Sequence, residues 1–228
     1  PEQAQGQAVE ELPGRSPVGT IPVALLAAPA PIMGERRERV AERRDQYRAR
    51  AMANVLAATV ELGRGQLHPA TARLEDTVAA LDTASAASWS FPARLLLAQC
   101  YCGLGRCAEA APLIADLREK VDCGATMFDA PVRLAEAWLA AAEGHLSGAI
   151  AAALHAADVA AQSGQRAIEL MALHAAARFG DRTCLQRLIE IAETIGGPLA
   201  TADATHARGL MNHDGAQVYS SACEFERI

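Results

Sequence analysis

The sequence predicts an all-α protein, built as a right-handed solenoid of stacked antiparallel helix hairpins. Three observations predict it. Of 228 residues 52 are alanine, the strongest helix former, whereas aromatic residues make up 4%, poor material for a β-sandwich or barrel. Apolar residues recur at i, i+3, i+4 and i+7, the spacing of one buried helix face. Finally, Gly65, Gly105, Gly144 and Gly180 each separate two such segments, at intervals of 40, 39 and 36 residues, with His213 in the same place 33 residues on. Five positions after each stands a small or apolar residue: Ala70, Ala110, Ala149, Leu185 and Val218.

Residues 1–34 hold six of the eleven prolines and four of the seventeen glycines, and read as a linker or irregular lead-in. A first hairpin over about residues 35–82 opens in a charged run. From Glu35 to Arg50 seven arginines meet Glu35, Glu38, Glu42 and Asp45, which predicts a polar, salt-bridged helix face. The second hairpin, about 92–121, starts at Pro92, with Trp89 and Phe91 in the turn before it, plugging the joint between hairpins. Its second helix should begin near Ala108, contain Pro112 and bury Ala110, Leu113, Ile114, Leu117 and Val121. In the third, about 130–162, Ala135, Ala140, Ala141, Ala142, Ala151 and Ala152 are the expected close-contact positions. The fourth, about 166–195, should bury Leu185, Leu188, Ile189, Ala192 and Ile195, and the fifth spans about 199–228. Pro69, Pro92, Pro131 and Pro198 fall where helices should start, since a first turn has no acceptor for the missing N–H. A lone hairpin cannot bury its apolar face, so neighbours stack.

The segment LLLAQCYCGLGRCAEA, Leu95 to Ala110, resembles a tetratricopeptide repeat, with a small residue before the turn, glycine at the turn and Glu-Ala opening the second helix. Three further segments carry a more specific resemblance: AEAWLAAAEG from Ala135 to Gly144; ELMALH from Glu169 to His174, running on to Arg178-Phe179-Gly180-Asp181; and Gly197-Pro198-Leu199-Ala200 followed by His206-Ala207-Arg208. Together, over roughly residues 92–228, they resemble the helical-repeat region of the large ATP-binding, maltose-regulator-like transcription factors of the LuxR family. That resemblance implies a non-catalytic sensor or interaction segment, coupling a protein or small-molecule effector to ATPase and DNA-binding modules outside this chain. It supplies no ligand residue, because the matched positions are packing and turn positions. A stand-alone tetratricopeptide-like interaction scaffold is the alternative, and an all-α enzyme the weaker one.

Composition narrows the function classes. The formal net charge of −6 opposes a dedicated nucleic-acid binder. Lys120, the single lysine, lies between Glu119 and Val121, so no complete Walker-type phosphate loop exists in this sequence. Cys100, Cys102, Cys107, Cys123, Cys184 and Cys223 are too sparse for a disulfide scaffold and are expected as reduced thiols in a cytoplasmic protein. Cys100 and Cys102 point about 200° apart on a helix and read as core residues. The longest apolar run, Ile21 to Met33, contains three prolines and is too short to span a bilayer. Because the sequence opens on Pro1, it reads as part of a longer protein. His206 and His213, seven apart, could share a helix face, but two imidazoles without a carboxylate or a third ligand make a poor site. No catalytic, cofactor-binding or metal residue is assigned, the binding residues and any homo-oligomerisation are left open, and an enzyme reading would turn on a buried acid or on His174.

Overall fold

A computed structural model describes residues 30–83 and 87–228, with side chains at 46–82 and 89–228. Two units divide the chain, residues 1–43 and 44–228. Of the first, the described residues 30–43 are helical; the rest of the expected lead-in and the side chains of the arginine-rich run up to Asp45 lie outside the described residues. Every α-helix lies in the order α1 (Ala30–Gly63), α2 (Leu67–Thr83), α3 (Ala87–Gly103), α4 (Cys107–Asp122), α5 (Asp129–Ala142), α6 (Leu146–Gln162), α7 (Arg166–Phe179), α8 (Leu185–Ile195), α9 (Pro198–Met211) and α10 (Gly215–Arg227). One 3₁₀ turn, Thr126–Phe128, precedes α5. Among the described residues there is no strand, so the chain is all-α.

Local chemistry sets the helix ends. The turn between α5 and α6 is typical: Gly144 takes φ +84°, its N–H donates to the Ala141 carbonyl at 3.0 Å, and the His145 N–H reaches back to Ala140 at 2.8 Å. This left-handed cap satisfies carbonyls that the helix end leaves without partners. Between α9 and α10 the same φ sign falls on His213, at +55°, the one non-glycine residue among those described with positive φ. An L-residue there is strained, and His213→Gly should stabilise the protein by about 0.5–1 kcal/mol, the strain relief exceeding the extra unfolded-state entropy. Thermal melts of the two proteins test this, and a lower midpoint for the variant would refute it. Asp214 then caps α10, its Oδ1 accepting from the Ala216 and Gln217 amides at 2.9 and 3.2 Å.

Packing follows the chain. In the second unit α2 lies on α3, and α3 on both α4 and α5; α5 touches α6 and α7, α7 touches α8 and α9, and α9 carries α10. Much of the core is alanine. Ala153, Ala156 and Ala157 of α6 share a cluster with Ala172, Ala175 and Ala176 of α7, all nearly or fully buried. Each methyl removes little area from water, so the gain depends on the close helix approach that such small side chains permit.

Several expectations shift in detail. Pro92 is the sixth residue of α3, so Trp89 and Phe91 are helical instead of lying in a turn. Phe91 stacks on Phe128 with centroids 4.2 Å apart, tying α3 to the 3₁₀ turn. Of the six alanines named in the third segment only Ala135 is buried; Ala142 and Ala151 are exposed, and α6 instead buries Ala149, Ala153, Ala156, Ala157 and Ala160. In α8 Leu185, Leu188, Ile189 and Ala192 are buried, whereas the terminal Ile195 is 39% exposed. Cys100 and Cys102 lie in the core, and burial pushes their thiols up to about 11 and about 12.

Arginines tie helix to helix. Arg73 of α2 forks onto Glu61 of α1, with Nε and Nη2 donating at 3.1 and 2.6 Å. Arg118 of α4 donates to Glu136 at 2.8 and 3.0 Å and to Asp129 at 2.5 Å, both on α5. Arg187 of α8 spans Glu169 of α7 at 3.0 Å and Asp158 of α6 at 2.6 Å. Glu169 is only 3% exposed, and its forked partner is what makes a buried carboxylate tolerable.

Candidate functional site

A second kind of polar cluster sits where α5, α7, α9 and α10 contribute side chains together. On α7 the i, i+4 spacing puts His174 and Arg178 on one face, and on α9 the i, i+3 spacing does the same for Asp203 and His206. Asp203 is 4% exposed. Its Oδ1 lies 3.0 Å from Nδ1 of His174, whose Nε2 lies 3.0 Å from Nδ1 of His206. The result is a continuous carboxyl–imidazole–imidazole chain running from the interior to the half-buried His206.

Aromatic rings frame the chain. Phe225 of α10 stacks on His174 at 5.6 Å, and the His206 ring meets His174 edge-on at 5.1 Å. Arg178 lays its guanidinium over Trp138 of α5, 4.9 Å from the ring centroid, and Trp138 packs edge-to-face on Phe179.

Burial governs the protons. Desolvation, with smaller contributions from His206 and Arg178, holds the His174 imidazole down to about 3, and burial pushes the Asp203 carboxyl up to about 7 against the pull of Arg178. His206 is also depressed, by burial and then by Arg178 and Arg182. A neutral carboxyl and neutral imidazoles fix the wiring: Asp203 donates to Nδ1 of His174, and the His174 Nε2–H donates to Nδ1 of His206. One proton shifted along each link gives the reverse wiring with little movement of heavy atoms.

Cys184 is buried, contacts the Leu173 carbonyl at 3.5 Å and has its thiol pushed up to about 12 by burial, so it stays protonated. Among the described residues no three His, Cys, Asp or Glu side chains could hold a metal ion together. In the Asp203–His174–His206 chain both His174 nitrogens are spent on their neighbours, so the donors address one another instead of a common centre. No family model, no curated protein and no solved structure matches this chain.

The structure separates the pair that the sequence had suggested. His213 stands exposed in the turn after α9, outside the helix that carries His206, so the two imidazoles share no helix face. His206 instead meets His174, 32 positions earlier. Asp203 was missed altogether. A signal was present, since an aspartate one turn before a histidine in an Ala-rich helix is a short polar stripe on an otherwise small-residue surface. Among the described residues no helix is long and apolar enough to cross a membrane.

Proposed function

We propose that the chain is a tetratricopeptide-like solenoid of helix hairpins, acting as the non-catalytic sensor or interaction segment of a LuxR-family transcriptional regulator. The observation that carries the binding role is the pooling of Trp138, His174, Arg178, Asp203 and His206 from α5, α7 and α9 into one cluster, with Arg178 open to solvent. In a solenoid the first helices of successive hairpins line the inner surface, and α3–α5, α5–α7 and α7–α9 are all neighbours. A ligand bridging those helices would bias their relative packing by its differential affinity, which is how such a segment couples an effector or partner protein to distant modules. Net negative charge supports a role without direct DNA contact. The regulator assignment rests on the sequence resemblance over residues 92–228. The stand-alone scaffold shares the surface and differs in what lies beyond the chain.

The test is effector-dependent transcription by the full-length regulator with this segment deleted. Loss of the effector response with retained basal promoter binding is the expected result. An unchanged response would reduce the segment to a spacer.

A further inference from the structure

We infer that Arg178, laid against Trp138 and beside the imidazole of His206, is a binding site for a carboxylate group, carried by a small organic acid or by an acidic peptide. The inference rests on the binding role proposed above and names its ligand chemistry.

A guanidinium carries five N–H donors, and the partly covered arginines of this protein spend theirs on carboxylates. Arg73, Arg94, Arg118, Arg133 and Arg187 each have a carboxylate oxygen within 3.0 Å. Arg178, exposed at the rim of the cluster, has no such carboxylate. Among the described residues no side chain forms an ion pair or hydrogen bond with it, and its close contact is the Trp138 ring. Asp203 acts on Arg178 only at longer range, since its nearest partner is His174. A cation–π contact with an indole leaves guanidinium N–H groups available to grip a carboxylate with two parallel hydrogen bonds.

Surrounding charge selects an anion. The groups facing His206 are His174 and Arg178 from α7, Arg182 from the turn before α8 and Asp203 from its own helix, while Phe225 of α10 and Trp138 of α5 frame the cluster without charge. Below about pH 7, where burial keeps Asp203 protonated, the two arginines leave the cluster positive. A carboxylate presents two coplanar oxygens that one guanidinium fork can grip, with the His206 imidazole beside it. Bound negative charge would also cancel the repulsion that depresses His206, so binding takes up a proton and strengthens as pH falls.

Trp138 supplies the readout. Trp89 is the other of two tryptophans, so W89F leaves Trp138 as the sole tryptophan, excited selectively over the tyrosines at the red edge. Succinate, a blocked hexaglutamate peptide and inorganic phosphate are titrated against this variant at constant ionic strength, with chloride as the balancing salt. A saturable change in emission with succinate or the peptide, several-fold tighter at pH 6 than at pH 8, is expected; tighter binding of the peptide assigns a peptide source, and equal or better binding of succinate a small acid. R178Q should weaken it at least tenfold with an unchanged far-ultraviolet circular dichroism spectrum, and R178K should fall between. If R178Q does not fold, H206Q should bind more weakly than the parent and lose part of its pH dependence, the remainder belonging to Asp203. A response that chloride reproduces, that phosphate exceeds, that survives R178Q, or that never saturates overturns the inference. Such a failure leaves the interaction role to its own deletion test.

Discussion

Gly209→Val is expected to lower the melting midpoint by roughly 3–10 °C, corresponding to a loss of about 1–3 kcal/mol. A Cβ at position 209 would stand 2.8 Å from both the Cγ2 and the backbone N of Val218, and 3.2 Å from the Asp214 carbonyl oxygen. Two of those atoms are backbone of the α10 entry, so no rotamer change relieves the overlap and α10 must move off α9. Glycine elsewhere behaves oppositely. Gly148 is exposed in α6 with nothing within 4 Å of its would-be Cβ, so Gly148→Ala should stabilise by about 0.5–1 kcal/mol through helix propensity alone. Differential scanning calorimetry on both variants checks the pair, and equal midpoints for Gly209→Val and the parent would mean that α9 and α10 do not approach as closely as described.

Asp203→Asn should convert a nearly flat pH profile of the His174 pair into a steep one. Between pH 3.8 and 6.5 the unfolded pair carries one proton, with the aspartate ionised and the histidine charged. The folded pair also carries one, held on Asp203, whose carboxyl is raised to about 7 while His174 is held down to about 3. Equal proton counts give no slope, whichever partner holds the proton. Asparagine removes the folded proton and leaves the unfolded one. His174, with a depressed folded value, then contributes stability that is present above pH 6.5 and is lost as pH falls, at about 1.4 kcal/mol per pH unit. His206, depressed in both proteins, cancels in the comparison. Urea unfolding at pH 7, 6 and 5 should show the variant falling behind by about 2 kcal/mol at pH 5 relative to its deficit at pH 7. A constant deficit across that range would show that His174 titrates as though exposed.

Helical class and helix boundaries were legible because alanine abundance, proline placement and turn glycines act over a few residues. Pro198 sits at the first position of α9, and Gly65, Gly105, Gly144 and Gly180 all take positive φ where a helix-ending residue was read. The buried faces were legible only where side chains differ in size. In α4 the set Ala110, Ile114, Leu117 and Val121 stands out against Arg and Glu, whereas in α6 alanines cover every side of the helix and no periodicity selects the face. Pro92 misled because tertiary packing of Trp89 and Phe91 outweighs one lost helical hydrogen bond. The polar cluster escaped because its members come from helices 32 residues apart, and only their packing brings Asp203 and His206 onto His174.

The arginine forks that tie α1 to α2, α4 to α5 and α8 to α6 and α7 have a chemical corollary. A protein that secures its joints with guanidinium has almost no side-chain amines, and here there is one, Lys120, half-exposed on α4 beside Asp116 at 2.5 Å. Acylation and conjugation chemistry directed at lysine therefore cannot reach the ion pairs between helices. The same scarcity makes Lys120 the one side-chain amine at which a dye can be attached, away from the core and from the Trp138–Arg178 pair.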